Sequence, residues 1–177
     1  MKFEELKFEQ NLMEGIEAMN FQEMTPIQEQ AIPLVMEGRD VIACAQTGTG
    51  KTAAYLLPLL NRMLKEEHDS ESVNAIIMAP TRELAQQIDQ QLEGFSYFLP
   101  ITSVPVYGGN DASAWEQQKR AMQMGADFVI ATPGRLISHI NLGYVDFSKV
   151  NYFVLDEADR MLDMGFYDDI IHIVKQL

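Results

Sequence analysis

Five short apolar runs alternate with helix-length segments along this chain, and that alternation is the feature that most limits its possible folds. The runs are 40–45, 73–79, 101–107, 127–131 and 151–155. Several are continuously apolar, which is typical of strands buried on both faces of a parallel sheet. Segments with helical spacing lie at about 51–65, 82–97, 112–124, 134–142 and beyond 166. This order predicts an α/β domain with right-handed crossovers, a mostly parallel twisted sheet and helices on both faces.

The first 37 residues have a different character, with eight acidic and two basic side chains. Their spacing predicts two short helices ahead of the first strand, with an apolar face that includes Leu12 and Ile16 as well as Leu6 and Met19. We expect residues 1–37 to form a helical extension packed on a core domain at 38–177. The total length of 177 residues suits a single domain of this kind.

A glycine-rich stretch, Ala-Gln-Thr-Gly-Thr-Gly-Lys-Thr at 45–52, follows the first apolar run and opens the first long helix. Gly48 and Gly50 allow backbone N–H groups to point at phosphate oxygens, and a helix N-terminus favours an anion. Lys51 can reach the β- and γ-phosphates of a nucleotide, and the Thr52 hydroxyl can ligate Mg²⁺. The alternative is a simple helix-capping turn, which the strand–loop–helix context argues against.

Two carboxylates, Asp156 and Glu157, come directly after the last apolar run. Ligands of open parallel sheets gather beyond the carboxyl ends of the strands, so we expect Asp156 to face the same crevice as Lys51. Asp156 suits a water-mediated contact with Mg²⁺, and Glu157 can orient or deprotonate an attacking water. The alternative is an acidic helix N-terminus. The glycine-rich stretch at 45–52, called the phosphate loop below, makes that alternative the weaker one.

With Asp-Glu-Ala-Asp at 156–159, the chain resembles the DEAD-box ATP-dependent RNA helicases, and we expect a bacterial origin. The resemblance covers essentially the whole chain in family order. It implies a RecA-like P-loop NTPase domain at 38–177 behind a helical Q-motif extension at 1–37, and a coupling role between domains for Asp159. It also implies that a Ser-Ala-Thr strand and a second RecA-like domain lie beyond this chain, which we therefore expect to be part of a longer protein.

Residues 20–28 resemble the adenine-reading Q motif of this family, with Asn20 and Met24 standing where glycine and proline are usual. The Gln28 carboxamide can pair with adenine N7 and N6–H₂ together, and Phe21 offers a face for stacking. The family carries an isolated aromatic residue at the position of Phe3. The resemblance implies an ATP-binding set made of Phe3, Phe21, Thr25, Gln28, Gln46, Thr47, Gly48, Thr49, Gly50, Lys51 and Thr52.

Three further segments match RNA-contacting motifs of the family, and each follows a predicted strand. They consist of Pro80, Thr81 and Arg82, of Gly108 and Gly109, and of Thr132, Pro133, Gly134 and Arg135. Hydroxyls, helix-start N–H groups, glycines and arginine suit contacts with an RNA backbone, which carry no sequence information. The alternative is that these are ordinary loops with threonine N-caps, proline at the first helical position and a glycine turn.

The formal net charge of −13 and the isoelectric point near 4.5 argue against binding to nucleic acid or to an anionic membrane. They favour an alternative function, a P-loop ATPase switch or protein-interaction domain that does not act on nucleic acid. The acidic residues are segregated, however, because stretches 41–65, 95–110 and 128–145 contain none. We therefore expect weak RNA binding by this chain alone, without a negative phosphate-facing edge.

Several residues are not assigned a role. The single cysteine, Cys44, is expected to be buried, and it fits a reducing compartment. His68, His139 and His172 lack metal-ligand spacing, and Trp115 is expected to serve packing.

Because the chain has no apolar leader and no run of membrane-spanning length, we expect a cytoplasmic location. In the family, the arginine finger belongs to the second RecA-like domain. We therefore predict that this chain alone binds nucleotide, hydrolyses it only slowly and does not unwind RNA.

Overall fold

A computed structural model describes residues 1–109 and 111–177 of the chain. The described residues divide into two compact units. The first unit consists of residues 1–67 and 90–100, and the second consists of residues 68–89 and 101–177. None of the described helices has both the length and the apolar character needed to cross a membrane.

The first unit is helical. It contains a 3₁₀ helix at Phe3–Glu5, α1 at Gln10–Ala18, α2 at Pro26–Met36, α3 at Lys51–Lys65 and the final turns of α4, which spans Arg82–Phe95. The two short N-terminal helices predicted from the sequence are therefore confirmed. Leu12 and Ile16 are fully buried on one face of α1, as their spacing predicts, and the side chains of Leu56 and Leu60 in α3 are fully buried as well.

Asn20 follows α1 in a left-handed conformation, with a φ of 62°. Asparagine is one of the few residues that adopt this region readily, because its short polar side chain can bond locally to the backbone. The turn that the family usually builds with glycine is therefore compatible with asparagine here. The departure from the family pattern leaves the approach to α2 intact, where Thr25 is the N-cap and Pro26 occupies the first helical position.

The second unit is built on four parallel strands: β1 at Ala75–Met78, β2 at Ser103–Val106, β3 at Phe128–Ala131 and β4 at Tyr152–Leu155. Their order across the sheet is β2-β3-β1-β4. The central strands β1 and β3 are buried along their whole length, which explains their continuous apolar runs. The predicted α/β class with a parallel sheet is confirmed, and the fold agrees with a RecA-like domain.

Helices follow the strands of the second unit. After α4 come α5 at Ala112–Met124, α6 at Pro133–Asn141, α7 at Ala158–Asp163 and α8 at Tyr167–Val174. Apolar side chains of the strands pack with Leu136, Met161 and Ile173 from three of these helices in one buried cluster. The helix α7 was not predicted, and α4 ends two residues before the predicted boundary.

The predicted strand at 40–45 is wrong. These residues have no regular secondary structure, the side chain of Ile42 is 100% exposed, and Cys44 is exposed rather than buried. An apolar run indicates a preference for burial, whereas a strand also needs a neighbour that satisfies its N–H and C=O groups. No strand among the described residues pairs with this run, and β4 lies at an edge of the sheet.

At the amino ends of the strands, the buried carboxylate of Asp127 joins the segments that lead into β1, β2 and β3. It accepts hydrogen bonds from Asn74 Nδ2 at 3.0 Å and from the Thr102 backbone N–H at 3.1 Å. His68 Nε2 lies 3.6 Å from the same carboxylate. These contacts fix the starts of β1, β2 and β3, so that the loops at the opposite ends of the strands begin from a defined register.

Candidate functional site

The phosphate loop lies in the first unit, immediately ahead of α3. Gly48 and Gly50 have φ values of 83° and 82°, and Gly50 is the N-cap of the 15-residue helix that starts at Lys51. Thr49 Oγ1 closes the turn by donating to the Gln46 carbonyl at 2.6 Å. Gln46, Thr47 and Gly48 are exposed, and the first turn of α3 has no acidic residue. This backbone can receive phosphate oxygens at a helix N-terminus.

The Gln28 side chain is only 1% exposed, and both ends of its amide are used. Its Oε1 accepts from the Thr25 N–H at 2.9 Å, and its Nε2 donates to the Gly50 carbonyl at 3.1 Å. A Cβ at Gly50 would lie 2.4 Å from Gln28 Nε2, so this contact requires glycine. Each end of the amide keeps one further hydrogen-bonding position, so Gln28 could read adenine as predicted while it stays bonded to Thr25 and Gly50.

Phe21 is the central ring of an aromatic row. Its centroid lies 6.0 Å from that of Phe3 and 5.2 Å from that of Phe95, both edge-to-face. Phe21 is half-buried and keeps an open part, whereas Phe3 is 1% exposed and belongs to the core. Phe3 thus packs against Phe21 from the core side. A direct contact between Phe3 and a nucleotide stays a prediction.

The acidic motif lies in the second unit, directly after β4. Asp156 is 7% exposed, and its backbone N–H donates to the Met78 carbonyl at 3.0 Å. Glu157 has a φ of 53°, which is uncommon for a residue with a side chain, and it lies 3.3 Å from Arg160 Nη1. Such backbone strain is frequent at functional positions. Asp159 follows as an exposed residue in the first turn of α7.

Within residues 1–109 and 111–177, no three His, Cys, Asp or Glu side chains form a group that could hold a metal ion. Mg²⁺ usually takes one or two carboxylates and completes its shell with waters and substrate phosphates. In the second unit, Asp156 offers one buried carboxylate, and in the first unit Thr52 offers a hydroxyl; whether they hold Mg²⁺ stays a prediction.

The loops after β1 and β2 contact each other in the second unit. Arg82 Nη1 lies 3.5 Å from the Gly108 carbonyl, and the Arg82 guanidinium lies 5.7 Å from the centroid of the Tyr107 ring. Gln86 Nε2 donates to the Tyr107 hydroxyl at 3.1 Å. Arg82, Gly108 and Gly109 remain exposed. The first two predicted RNA-contact segments are thus joined through Tyr107.

Threonine and proline begin the helices that follow two of these loops. Thr81 Oγ1 accepts from the Leu84 N–H at 3.2 Å, and Thr132 is the N-cap of α6 with Pro133 at its first position. These are the roles expected if the segments were ordinary loops rather than RNA-contacting motifs. They leave Gly134 exposed, while Pro80 and Pro133 are buried. A capping role and a backbone contact with RNA are compatible at such positions.

The loop after β3 is joined to the loop after β2 by Gln118 of α5. Arg135 Nε donates to Gln118 Oε1 at 2.9 Å, and Gln118 Nε2 donates to the Tyr107 carbonyl at 3.2 Å. The Arg135 guanidinium also lies over Trp115, 4.5 Å from its centroid. The structure therefore brings all three predicted RNA-contact segments together, and their contact with RNA stays a prediction.

His139 and Trp115 belong to this cluster, although sequence reasoning assigned them no role. Their rings stack with centroids 3.7 Å apart and an angle of 10°. His139 Nε2 lies 3.0 Å from Gln118 Oε1, and Nδ1 bonds the Tyr144 hydroxyl. Because Gln118 Oε1 only accepts, Nε2 carries the proton and Nδ1 accepts. The sequence did contain one signal for this cluster: Arg135 and His139 are four residues apart, and residues with this spacing are neighbours on a helix surface.

Burial, followed by the nearby charge of Arg135, lowers the pKa of His139 from 6.5 to about 4. Between these values the unfolded chain binds a proton that the folded chain does not, so the free energy of unfolding should fall as the pH decreases through this window. We expect this group to contribute a loss of about 1–3 kcal/mol.

The measurement for this prediction is urea unfolding at several pH values in the window between the two pKa values, about 4 and 6.5. The variant His139→Phe keeps a ring against Trp115 but cannot titrate, so its stability should depend less steeply on pH. The exposed His172, changed to Phe, serves as the control and should leave the slope unchanged. Equal pH dependence of the parent and His139→Phe would contradict the assignment.

The comparison with known families gives one match to a family model, described as DEAD/DEAH box helicase, over residues 25–177. The relatives include the ATP-dependent RNA helicase CshA of Listeria monocytogenes, which is 44% identical over 99% of this chain and 33% of its own length. The DEAD-box ATP-dependent RNA helicase CshA of Bacillus subtilis is 43% identical over 99% of this chain and 34% of its own.

A eukaryotic relative has a similar level of identity. The probable ATP-dependent RNA helicase ddx27 of Dictyostelium discoideum is 44% identical over 98% of this chain and 22% of its own length. The chain thus spans about a third or less of the curated relatives that it matches.

Proposed function

Because the chain belongs to the DEAD/DEAH box helicase family, we propose that it is the ATP-binding and RNA-backbone-binding first domain of an ATP-dependent RNA helicase. The observation that carries this proposal is the side-chain network that joins the loops after β1, β2 and β3. The whole protein would couple ATP hydrolysis to local unwinding of RNA duplexes. A second RecA-like domain as its partner and a cytoplasmic location are parts of the same proposal.

For the nucleotide, we assign Lys51 to the β- and γ-phosphates and Phe21 and Gln28 to adenine. The positive φ angles of the two loop glycines support this assignment, because they suit a backbone that surrounds phosphate. Thr52 and Asp156 would hold Mg²⁺, the latter mostly through water, and Glu157 would orient the attacking water. When bound, the metal would neutralise charge on the phosphates.

For RNA, we assign the exposed Arg82, Gly108, Gly109 and Gly134, together with Arg135, to the sugar-phosphate backbone. Exposed glycines let a backbone approach closely, and arginine can bond phosphate with two donors. The loops after β2 and β3 lie in stretches without acidic residues, 95–110 and 128–145. The net charge of −13 is therefore compatible with RNA binding at this edge, although it lowers the affinity.

The experiment for this proposal compares two arginines that carry the same charge. Arg135→Ala should weaken the binding of a labelled single-stranded RNA by about tenfold at low salt and reduce the salt slope by about 0.7. Arg120→Ala removes a charge from the exposed surface of α5, outside the predicted motifs, and should change the affinity by less than about twofold. Equal losses in the two variants, or none in either, would contradict the proposed RNA site.

The net charge favours a second candidate, a P-loop ATPase switch that does not act on nucleic acid. The two candidates share the nucleotide site and differ in the role of the three connected loops. A parent chain that binds an ATP analogue but no RNA at low salt would support the switch. RNA binding that is lost with Arg135 would support the helicase domain.

A further inference from the structure

Resting on the proposed function, we propose that Gln118 is a positioning residue that holds Arg135 and the loop at Tyr107–Gly109 in one arrangement. RNA backbone would then meet the segments after β2 and β3 as a single preformed surface. Trp115 and His139 complete this arrangement, because Trp115 lies against the Arg135 guanidinium and His139 stacks on Trp115. None of these three supporting residues belongs to a segment that the sequence assigned to RNA.

The orientation of the Gln118 amide is determined by its partners. Arg135 Nε can only donate and the Tyr107 carbonyl can only accept, so Oε1 must face Arg135 and Nε2 must face Tyr107. Gln118 is 6% exposed, which keeps water from replacing these partners. A shift of either loop would therefore break a part-buried hydrogen bond.

The Arg135 guanidinium is restrained on one further side. It lies over Trp115 at 4.5 Å, and Trp115 is itself stacked on His139. His139 is neutral and shares the Gln118 Oε1 acceptor, so it adds no competing cation beside Arg135. The side chain therefore has little rotational freedom left to lose when it meets a ligand.

The Arg135 guanidinium has five N–H donors, and only the one on Nε takes part in the hydrogen bonds described above. Nη2 is buried, and it has no hydrogen-bond partner among the described residues. A cationic donor that has lost its hydration without gaining an acceptor is costly, and a charged oxygen is the acceptor that relieves this cost most. Because Arg135 is only half-buried, the accessible side of its guanidinium can meet such a group, for example the phosphate of an RNA backbone.

The test separates positioning from simple stability. Gln118→Met keeps a side chain of similar length but removes every hydrogen bond of the amide. Gln118→Glu keeps the acceptor for Arg135 and loses the donor to the Tyr107 carbonyl. We expect about tenfold weaker binding of labelled single-stranded RNA to Gln118→Met and an intermediate loss in Gln118→Glu. The exposed neighbour Gln117, changed to Met, should bind as the parent does.

The double variant Gln118→Met with Arg135→Ala should bind RNA no more than about twofold more weakly than Arg135→Ala alone, because Gln118 acts through Arg135. Fully additive losses would overturn the inference. Trp115 is the only tryptophan, so its emission reports on this cluster. RNA should change the emission of the parent chain and leave that of Arg135→Ala unchanged, and an unchanged emission of the parent would also count against the inference.

The outcomes distinguish the two proposals. If Arg135→Ala binds RNA like the parent, the proposed RNA site fails together with this inference. If Arg135→Ala weakens binding and both Gln118 variants bind like the parent, only the positioning role fails. Should Gln118→Met not fold by circular dichroism, Gln118→Glu and the emission of the unmodified chain decide the question.

Discussion

Replacing Lys51 with alanine should weaken the binding of ATP to this chain by about 100-fold or more, because a charge-assisted contact with phosphate is lost without replacement. Lys51 opens α3 next to Gly50, where the backbone turns through a φ of 82°. No acidic residue lies between positions 41 and 65, so no carboxylate in this stretch offsets the positive charge that Lys51 presents to the phosphates of ATP. The measurement is a titration with a fluorescent ATP analogue.

Lys65 in the last turn of the same helix is the matched control. It lies 3.9 Å from Glu9 in an exposed ion pair, so Lys65→Ala removes the same charge from the far end of α3. We expect this variant to bind the analogue within about twofold of the parent, since exposed pairs contribute little. An affinity of Lys51→Ala as high as that of Lys65→Ala would show that the glycine-rich turn is only a helix cap.

Changing Gly50 to alanine should lower the free energy of unfolding by about 2–3 kcal/mol and weaken ATP binding as well. Two effects add at this position. A side chain at a φ of 82° is strained, and the new Cβ would lie 2.4 Å from Gln28 Nε2. Gln28 is buried, so moving its amide breaks the bond to the Gly50 carbonyl.

Gly48 separates the two effects, because its φ is 83° but a Cβ there would have nothing within 4 Å. Gly48→Ala should therefore lose only the strain term of about 1 kcal/mol. Urea unfolding of both variants gives the comparison. Equal destabilisation of the two variants would mean that the contact between Gln28 and Gly50 contributes nothing to the phosphate loop.

The sheet of the second unit was predictable because burial on both faces leaves a continuous apolar run, as in β1 and β3. The same pattern failed at 40–45. There the side chains of residues 41–45 are apolar, but no described strand supplies hydrogen bonds to the backbone. Hydrophobicity can be read locally, whereas the presence of a neighbouring strand cannot.

The candidate site shows a similar division. Lys51, Asp156 and the three predicted RNA-contact segments carry local motifs, which are recognisable because glycine, lysine and carboxylate chemistry require fixed spacing. Gln118, Trp115 and His139 carry no motif, since their importance comes from contacts between α5 and α6. Contacts between two helices depend on the fold, and only the helical spacing within each helix was available beforehand.

The most direct measurement is the affinity of the unmodified chain for a labelled single-stranded RNA over a salt series, with an ATP analogue titrated in parallel. If the edge formed by the loops after β1, β2 and β3 contacts the RNA backbone, log affinity should fall linearly with log salt. A slope of about −1.4 or steeper corresponds to two or more phosphates. Binding of the ATP analogue without RNA binding at the lowest salt, or an RNA affinity independent of salt, would contradict the proposed function.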